Sequence, residues 1–292
     1  MKLALRIFNS QIVPILLYGS EVWGPYMNFT YETWDNYNIE RVHTQFLKQV
    51  LGCAFQTSNN MVRADIGSRL QINTLIKRFI SFTKSIQARN SALCHDAIIF
   101  EIQNSESPNF WPFNQGYNLD LKDLVLKCKR EVHNICDGNY DRFWSNKISK
   151  SSKAISFNNF KTNIALETHL TLNFNLKHKI ALSRFRLSNH ALMIEKGRHL
   201  KIDKNERKCI FCENEIENEE HFLIICPIYS AGRKSLENIC NEICTRYEHL
   251  NENQKFIFLM SNENDKIIKA LGKFISNSFI IREKIITYFF DS

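Results

Sequence analysis

Only 5 of the 292 residues are proline and only 9 are glycine, which excludes collagen-like and low-complexity chains. No apolar run approaches the roughly 20 residues of a membrane span. The longest, such as Ile12 to Tyr18 and Phe256 to Met260, are far shorter, so no membrane partner is expected. The opening MKLALRIFNSQIVPILLYG is not expected to act as a secretory leader, because Arg6, Asn9, Ser10 and Gln11 interrupt it and no small-residue cleavage site follows. The nine cysteines are odd in number and scattered, which excludes a disulfide framework. Sustained period-2 alternation is missing, so no extended sheet is expected. Together these absences predict a soluble intracellular chain, in the nucleus and/or the cytoplasm.

What is present is aromatic and helical. Phenylalanine reaches 22 residues and the hydrophobic fraction is 44%. Apolar positions recur at three- and four-residue steps from Ile39 to Leu51, where Gly52 forms a C-terminal stop, and again around Leu75 to Phe82. The same spacing predicts helices from Leu121 to Ile135, from about His178 to Glu195, from Leu236 to Tyr247 and over the last 25 residues. The segments NSESPNFWPFNQGYN (104–118) and SNKISKSSKAISFNN (145–159) read as connections. The expected fold is mostly α, in five consecutive parts: a helical region at 1–90, a helical and loop connector at 91–160, a basic helical segment at 161–208, a small Cys/His knuckle at 209–226 and C-terminal helices at 227–292.

Charge is unevenly spread. Of the net +8, residues 161–208 carry +7, whereas 209–292 carry −4. A basic block of this kind fits a polyanion partner, RNA and/or DNA, though it also fits a solvated helix face. Beside it stands the sharpest chemical signal, Cys209-x2-Cys212-x8-His221-x4-Cys226. Two cysteines three apart grip one ion from a tight turn, and a histidine and a cysteine from the next element close a tetrahedron. Three thiolates and an imidazole suit one structural Zn2+ with no open position for water. Glu213, Glu215, Glu217, Glu219 and Glu220 lie between the ligands and make the knuckle itself a poor phosphate binder. Nucleic-acid contacts are therefore expected from the flank: Lys177, Lys179, Arg184, Arg186, Lys196, Arg198, Lys201, Lys204, Arg207 and Lys208. Zinc would order that flank, since metal-binding free energy becomes folding free energy.

Other residues read more plainly. Cys240 and Cys244 lie on an apolar stripe, as buried thiols commonly do, and a second metal site with His249 is disfavoured. Cys53, Cys94, Cys128 and Cys136 have no ligand-like grouping. Tyr18, Trp23 and Trp34 are expected in the core rather than against bases, and His43 at a partly exposed helix surface. The Asn28-Phe29-Thr30 sequon carries no meaning without secretion.

The text NSQIVPILLYGSEVWGP resembles the segment that leads from palm to thumb in reverse transcriptases of non-LTR (LINE-type) retrotransposons. Similar to the same family are Glu40-Arg41-x-His43-x-x-Phe46-Leu47-Lys48, Leu51-Gly52, Thr57-x-Asn59, Ala64-Asp65-Ile66-Gly67, and RFRLSNHALMIEKGRH from Arg184 to His199 followed by the knuckle and Pro227. The resemblance covers roughly residues 5–90 and 180–235. It implies a thumb-like region at 1–90, a zinc knuckle held by the four ligands above, and backbone contacts from Arg184, Arg186, His190, Lys196 and Arg198. It also implies that a polymerase palm and fingers normally precede this region. Polymerisation in that family needs clustered carboxylates for two metal ions, including an adjacent Asp-Asp pair. None of the ten aspartates here has an aspartate neighbour, so a non-catalytic C-terminal part is expected. The eight-residue gap between Cys212 and His221 departs from the retroviral knuckle and argues against its mode of base stacking, although Phe211 could serve. The run from Ile12 to Tyr18 would pack on the palm and should otherwise expose apolar surface. Two alternatives stay open: a degenerate helical protein-interaction module with no nucleic-acid binding, and a truncated record of an active RNA-directed DNA polymerase.

Overall fold

The computed structural model describes residues 1–24, 30–89, 96, 100, 124, 126–213 and 215–290. Helices dominate, and among the described residues the β content is two isolated bridges, Ile66–Leu166 and Lys208–Ile216. The main helices are Asn38–Leu51, Gln71–Arg89, Lys129–Ser149, Leu176–Arg186, Met193–His199, Ser230–Ile243, Glu252–Ser261 and Asp265–Phe290. The connection expected at 104–118, the sequon at Asn28 and Cys94 all lie outside the described residues.

The chain divides into two compact units, one holding Leu47–Ile66 and Ile148–Ser292, the other Lys2–Phe46 and Gly67–Lys147. They are discontinuous in sequence, unlike the five consecutive parts expected, because distant segments share a core. Residues 145–149, expected in a connection, instead finish the Lys129–Ser149 helix.

In the unit containing Lys2–Phe46, Leu17, Trp34, Leu75, Ile76, Tyr140 and Trp144 are buried. The Tyr31 and Tyr140 rings meet edge to face at 5.4 Å. Of the run from Ile12 to Tyr18, Val13 and Leu17 face inward, while Ile15 (71% exposed) and Tyr18 (85%) face solvent. Trp34 is in the core as expected; Tyr18 is not. His43 is a second departure. It is fully buried, and its Nδ1 lies 2.9 Å from Glu40 Oε1 while its Nε2 lies 3.1 Å from Ser68 Oγ. This Ser–His–Glu chain has the connectivity of a hydrolase triad, yet its carboxylate is committed to structure. Glu40 also accepts from Trp34 Nε1 (3.1 Å) and from the backbone N–H of Gln71 (2.7 Å), which caps the Gln71–Arg89 helix.

The unit containing Ile148–Ser292 is built on one large apolar cluster. Leu182, Phe185, Phe222, Leu236, Phe256 and Ile267 belong to it, and so do Cys209, Cys226 and Cys240. The periodic stripe Ile267, Ile268, Leu271, Phe274 and Ile275 lies on the inner face of the longest helix, Asp265–Phe290. Where one helix was expected from His178 to Glu195 there are two, Leu176–Arg186 and Met193–His199. Ser188 takes a left-handed conformation (φ 49°), and the Asn189 N–H closes the first helix on the Arg184 carbonyl at 2.8 Å. No glycine or proline announces that break. Gly52 does announce its own: it is left-handed (φ 65°), and a Cβ there would stand 2.9 Å from Ile180 Cγ2.

Candidate metal centre

The knuckle starts from a short bridge, Lys208 with Ile216, that folds the chain back on itself. The Cys209 N–H donates to the Glu215 carbonyl at 2.8 Å, and the Glu213 N–H returns to the Cys209 carbonyl at 2.8 Å with Glu213 left-handed (φ 56°). That turn carries Cys209 and Cys212. The following segment, His221–Ile225, is a single wide helical turn that brings His221 and Cys226 to the same point. The Asn218 side chain caps its start by accepting from the His221 N–H at 2.7 Å.

One donor atom from each of Cys209, Cys212, His221 and Cys226 lies within 4.8 Å of all the others. Cys209 Sγ is 3.8 Å from Cys226 Sγ, and Cys212 Sγ is 3.4 Å from His221 Nε2. Bond lengths of about 2.3 Å to sulfur and 2.0–2.1 Å to nitrogen imply tetrahedral edges of about 3.8 Å (S···S) and about 3.6 Å (S···N). The four side chains therefore fit one tetrahedral divalent ion, compatible with zinc. Among the described residues no second group of this kind converges, and Cys240 is a core residue.

Surrounding groups complete the site. His221 Nδ1 lies 3.1 Å from Glu215 Oε2, the carboxylate–imidazole arrangement that orients a metal-binding histidine. Burial works against a charge on this ring, yet Cys209 and Glu215 outweigh it and push His221 up to about 9 without metal. Cys209 is pushed up to about 12, first by its hydrogen bond with Cys226 and then by burial, while Cys226 is lowered by the same bond. A divalent cation bound by both sulfurs would displace their protons.

Glu217 ties the knuckle to its surroundings. Its carboxylate accepts a two-pronged bond from Arg282, with Nη2 at 2.9 Å, and a bond from the Met193 N–H at 2.8 Å. Arg282 also lies over the Phe211 ring at 5.2 Å, so one face of that half-buried ring is taken up internally. Glu219 is equally enclosed, by Ser156 Oγ (2.7 Å), Ser188 Oγ (2.7 Å) and His190 Nε2 (3.1 Å). The acidic run between the ligands is thus less repulsive than its composition suggests, because two of its five carboxylates point inward to partners.

The expected nucleic-acid contacts fall in different environments. Arg186 is 4% exposed and forks onto Asp65 at 2.9 and 3.0 Å, and Lys179 is buried with its Nζ on the Leu172 carbonyl at 2.6 Å. These two are interior residues, not open contacts. Arg207 donates to the carbonyls of Ile202 and Ile194 and so holds the loop between the Met193–His199 helix and the knuckle. Lys177, Arg184, Lys196, Lys201, Lys204 and Lys208 are exposed, and Arg198 is half-buried. Lys177, Arg184 and His190 line a groove of about 650 Å³ beside Phe279 and Ile180. Sequence reasoning missed the roles of Glu215, Glu217 and Arg282; the acidic letters were visible, but not that Glu215 turns to His221 and Glu217 turns inward to Arg282. No helix among the described residues is long and apolar enough to cross a membrane. Comparison with protein-family models, with curated proteins and with solved structures finds no match to this chain.

Proposed function

We propose that the chain is a non-catalytic, zinc-ordered nucleic-acid-binding module, of the kind implied by its resemblance to the C-terminal part of non-LTR retrotransposon reverse transcriptases. One observation carries the reading. The Cys209, Cys212, His221 and Cys226 cluster closes at the end of a segment whose exposed side chains include Lys196, Lys201, Lys204 and Lys208. The Lys208–Ile216 bridge and the bonds from Arg207 link that segment to the metal turn, so an ion that stabilises the turn also holds the lysines in place. Lys177 and Arg184 add charge along the nearby groove, where Phe279 offers an apolar wall to an unstacked base.

Six exposed cations each meeting one phosphate give a log–log salt slope of about −5 on duplex DNA and about −4 on a single strand. The test is a titration of the full chain with labelled single-stranded RNA, single-stranded DNA and duplex DNA at several salt concentrations, with zinc and after chelation. A slope of that size that collapses on chelation supports the reading. Absence of binding at about 50 mM salt by folded, zinc-loaded protein overturns it, and leaves a protein-interaction role.

A further inference from the structure

Next to the knuckle lies a smaller cavity of about 340 Å³. Four cations line it, Lys153, Arg198, Lys204 and Arg207, against two carboxylates, Glu195 and Glu219. Glu219 is saturated by Ser156, Ser188 and His190. Glu195 is not. The residue is 4% exposed, and its Oε1 forms an ion pair with Arg198 Nη2 at 3.1 Å. Its Oε2 is buried and has no hydrogen-bond donor; the Lys153 ammonium stands 3.9 Å away. Burial, only partly offset by Arg198 and Lys153, raises its pKa above the usual carboxylate range. A buried acceptor left open beside a cavity calls for a partner.

The chemistry of that partner is constrained. A bare cation is opposed by four positive side chains. A bare phosphate matches those cations but places negative charge against Glu195 and leaves its oxygen unfilled. A nucleotide supplies both halves, a phosphate for the cationic wall and an N–H or O–H donor of its base or sugar for Glu195 Oε2. The volume lies at the lower end of the roughly 300–1,000 Å³ usual for small-molecule sites, enough for one such unit.

We propose that this cavity holds a single nucleotide of a bound RNA or DNA strand, its phosphate against Arg198 and Lys204 and its donor on Glu195. The inference deepens the nucleic-acid-binding reading and rests on it. Free mononucleotides carry the same chemistry, so they are the direct probe.

The experiment is calorimetric titration of the full, zinc-loaded chain with the four ribonucleoside 5′-monophosphates and, separately, with inorganic phosphate. At least one mononucleotide should bind at least tenfold more tightly than phosphate. Glu195→Ala should weaken that binding at least about tenfold, the loss of one hydrogen bond to a charged group. Ile155 lines the same cavity and is exposed, so Ile155→Trp fills the mouth without disturbing the core and should abolish mononucleotide binding. Lys234→Ala, at an exposed position outside the cavity, should leave it unchanged. Mononucleotides that bind no better than phosphate, or that bind Ile155→Trp as well as wild type, overturn the proposal. A parallel titration with single-stranded RNA separates the two readings: strand binding that persists while mononucleotide binding fails removes the cavity alone, and failure of both removes the module as well.

Discussion

Arg186 shows how strongly the tertiary structure separates one cation from its neighbours. Its guanidinium forks onto Asp65, donates to the Met260 carbonyl, pairs with Glu167 at 2.9 Å and lies 4.8 Å over the Phe160 ring. Burial alone would raise the pKa of Asp65, which is fully enclosed; Arg186 overrides it and keeps the carboxyl below its ordinary value. Arg186→Met keeps the apolar stem but strands that carboxylate in the interior. Breaking a buried pair from one side costs about 3–5 kcal/mol. For a domain of this size that is a fall in Tm of roughly 6–20 °C. Lys208→Met removes the same formal charge from an exposed position, so its stability change stays within about 0.5 kcal/mol. Its salt slope for nucleic acid should instead fall by about 0.7–0.9. Thermal denaturation followed by circular dichroism reads the first effect and salt-dependent titration reads the second. The double variant Asp65→Asn/Arg186→Met should recover part of the loss, since no unpaired charge remains. An Arg186→Met protein that melts within 2 °C or so of wild type and shows a reduced salt slope would refute this account.

Three further outcomes are expected. Elemental analysis should find one zinc per chain, absent from Cys212→Ser, and chelation should lower the melting temperature of wild type but not of that variant. His169 is buried, and burial followed by the nearby Arg186 charge lowers its pKa to about 3. The unfolded chain therefore binds this proton first, so its stability contribution is complete above about pH 6.5 and shrinks as pH falls toward 3, by about 2 kcal/mol between pH 7 and 5. Urea unfolding at the two pH values should show a loss that His169→Gln reduces by that amount; an identical loss in the variant would contradict it. Finally, polar replacement of Ile15 and Tyr18 should cut the fluorescence of an apolar-surface dye while moving the melting temperature little, because both side chains face solvent.

The helices around Ile39–Leu51, Leu75–Phe82 and Ile267–Ile275 were legible because a buried stripe imposes its period on the sequence. The break between Leu176–Arg186 and Met193–His199 was not. It depends on a left-handed serine and on Asn189, whose side chain accepts from the Ala54 N–H at 2.9 Å, 135 positions away. His43 was misread for a related reason. One histidine on a helix looks the same whether water or Ser68 and Glu40 surround it.

The sequence by itself determined the mostly helical class and the Cys/His group that could hold a metal ion. Both follow from local rules: periodicity within one helix, and donors that close a tetrahedron within an 18-residue stretch. Tertiary structure alone decided which charges are free. Arg186 meets Asp65 across 121 positions and Arg282 meets Glu217 across 65, while Glu195 has one oxygen left open. A side chain's formal charge is written in its letter, but whether that charge meets water, a partner or an empty cavity depends on segments that only folding brings together.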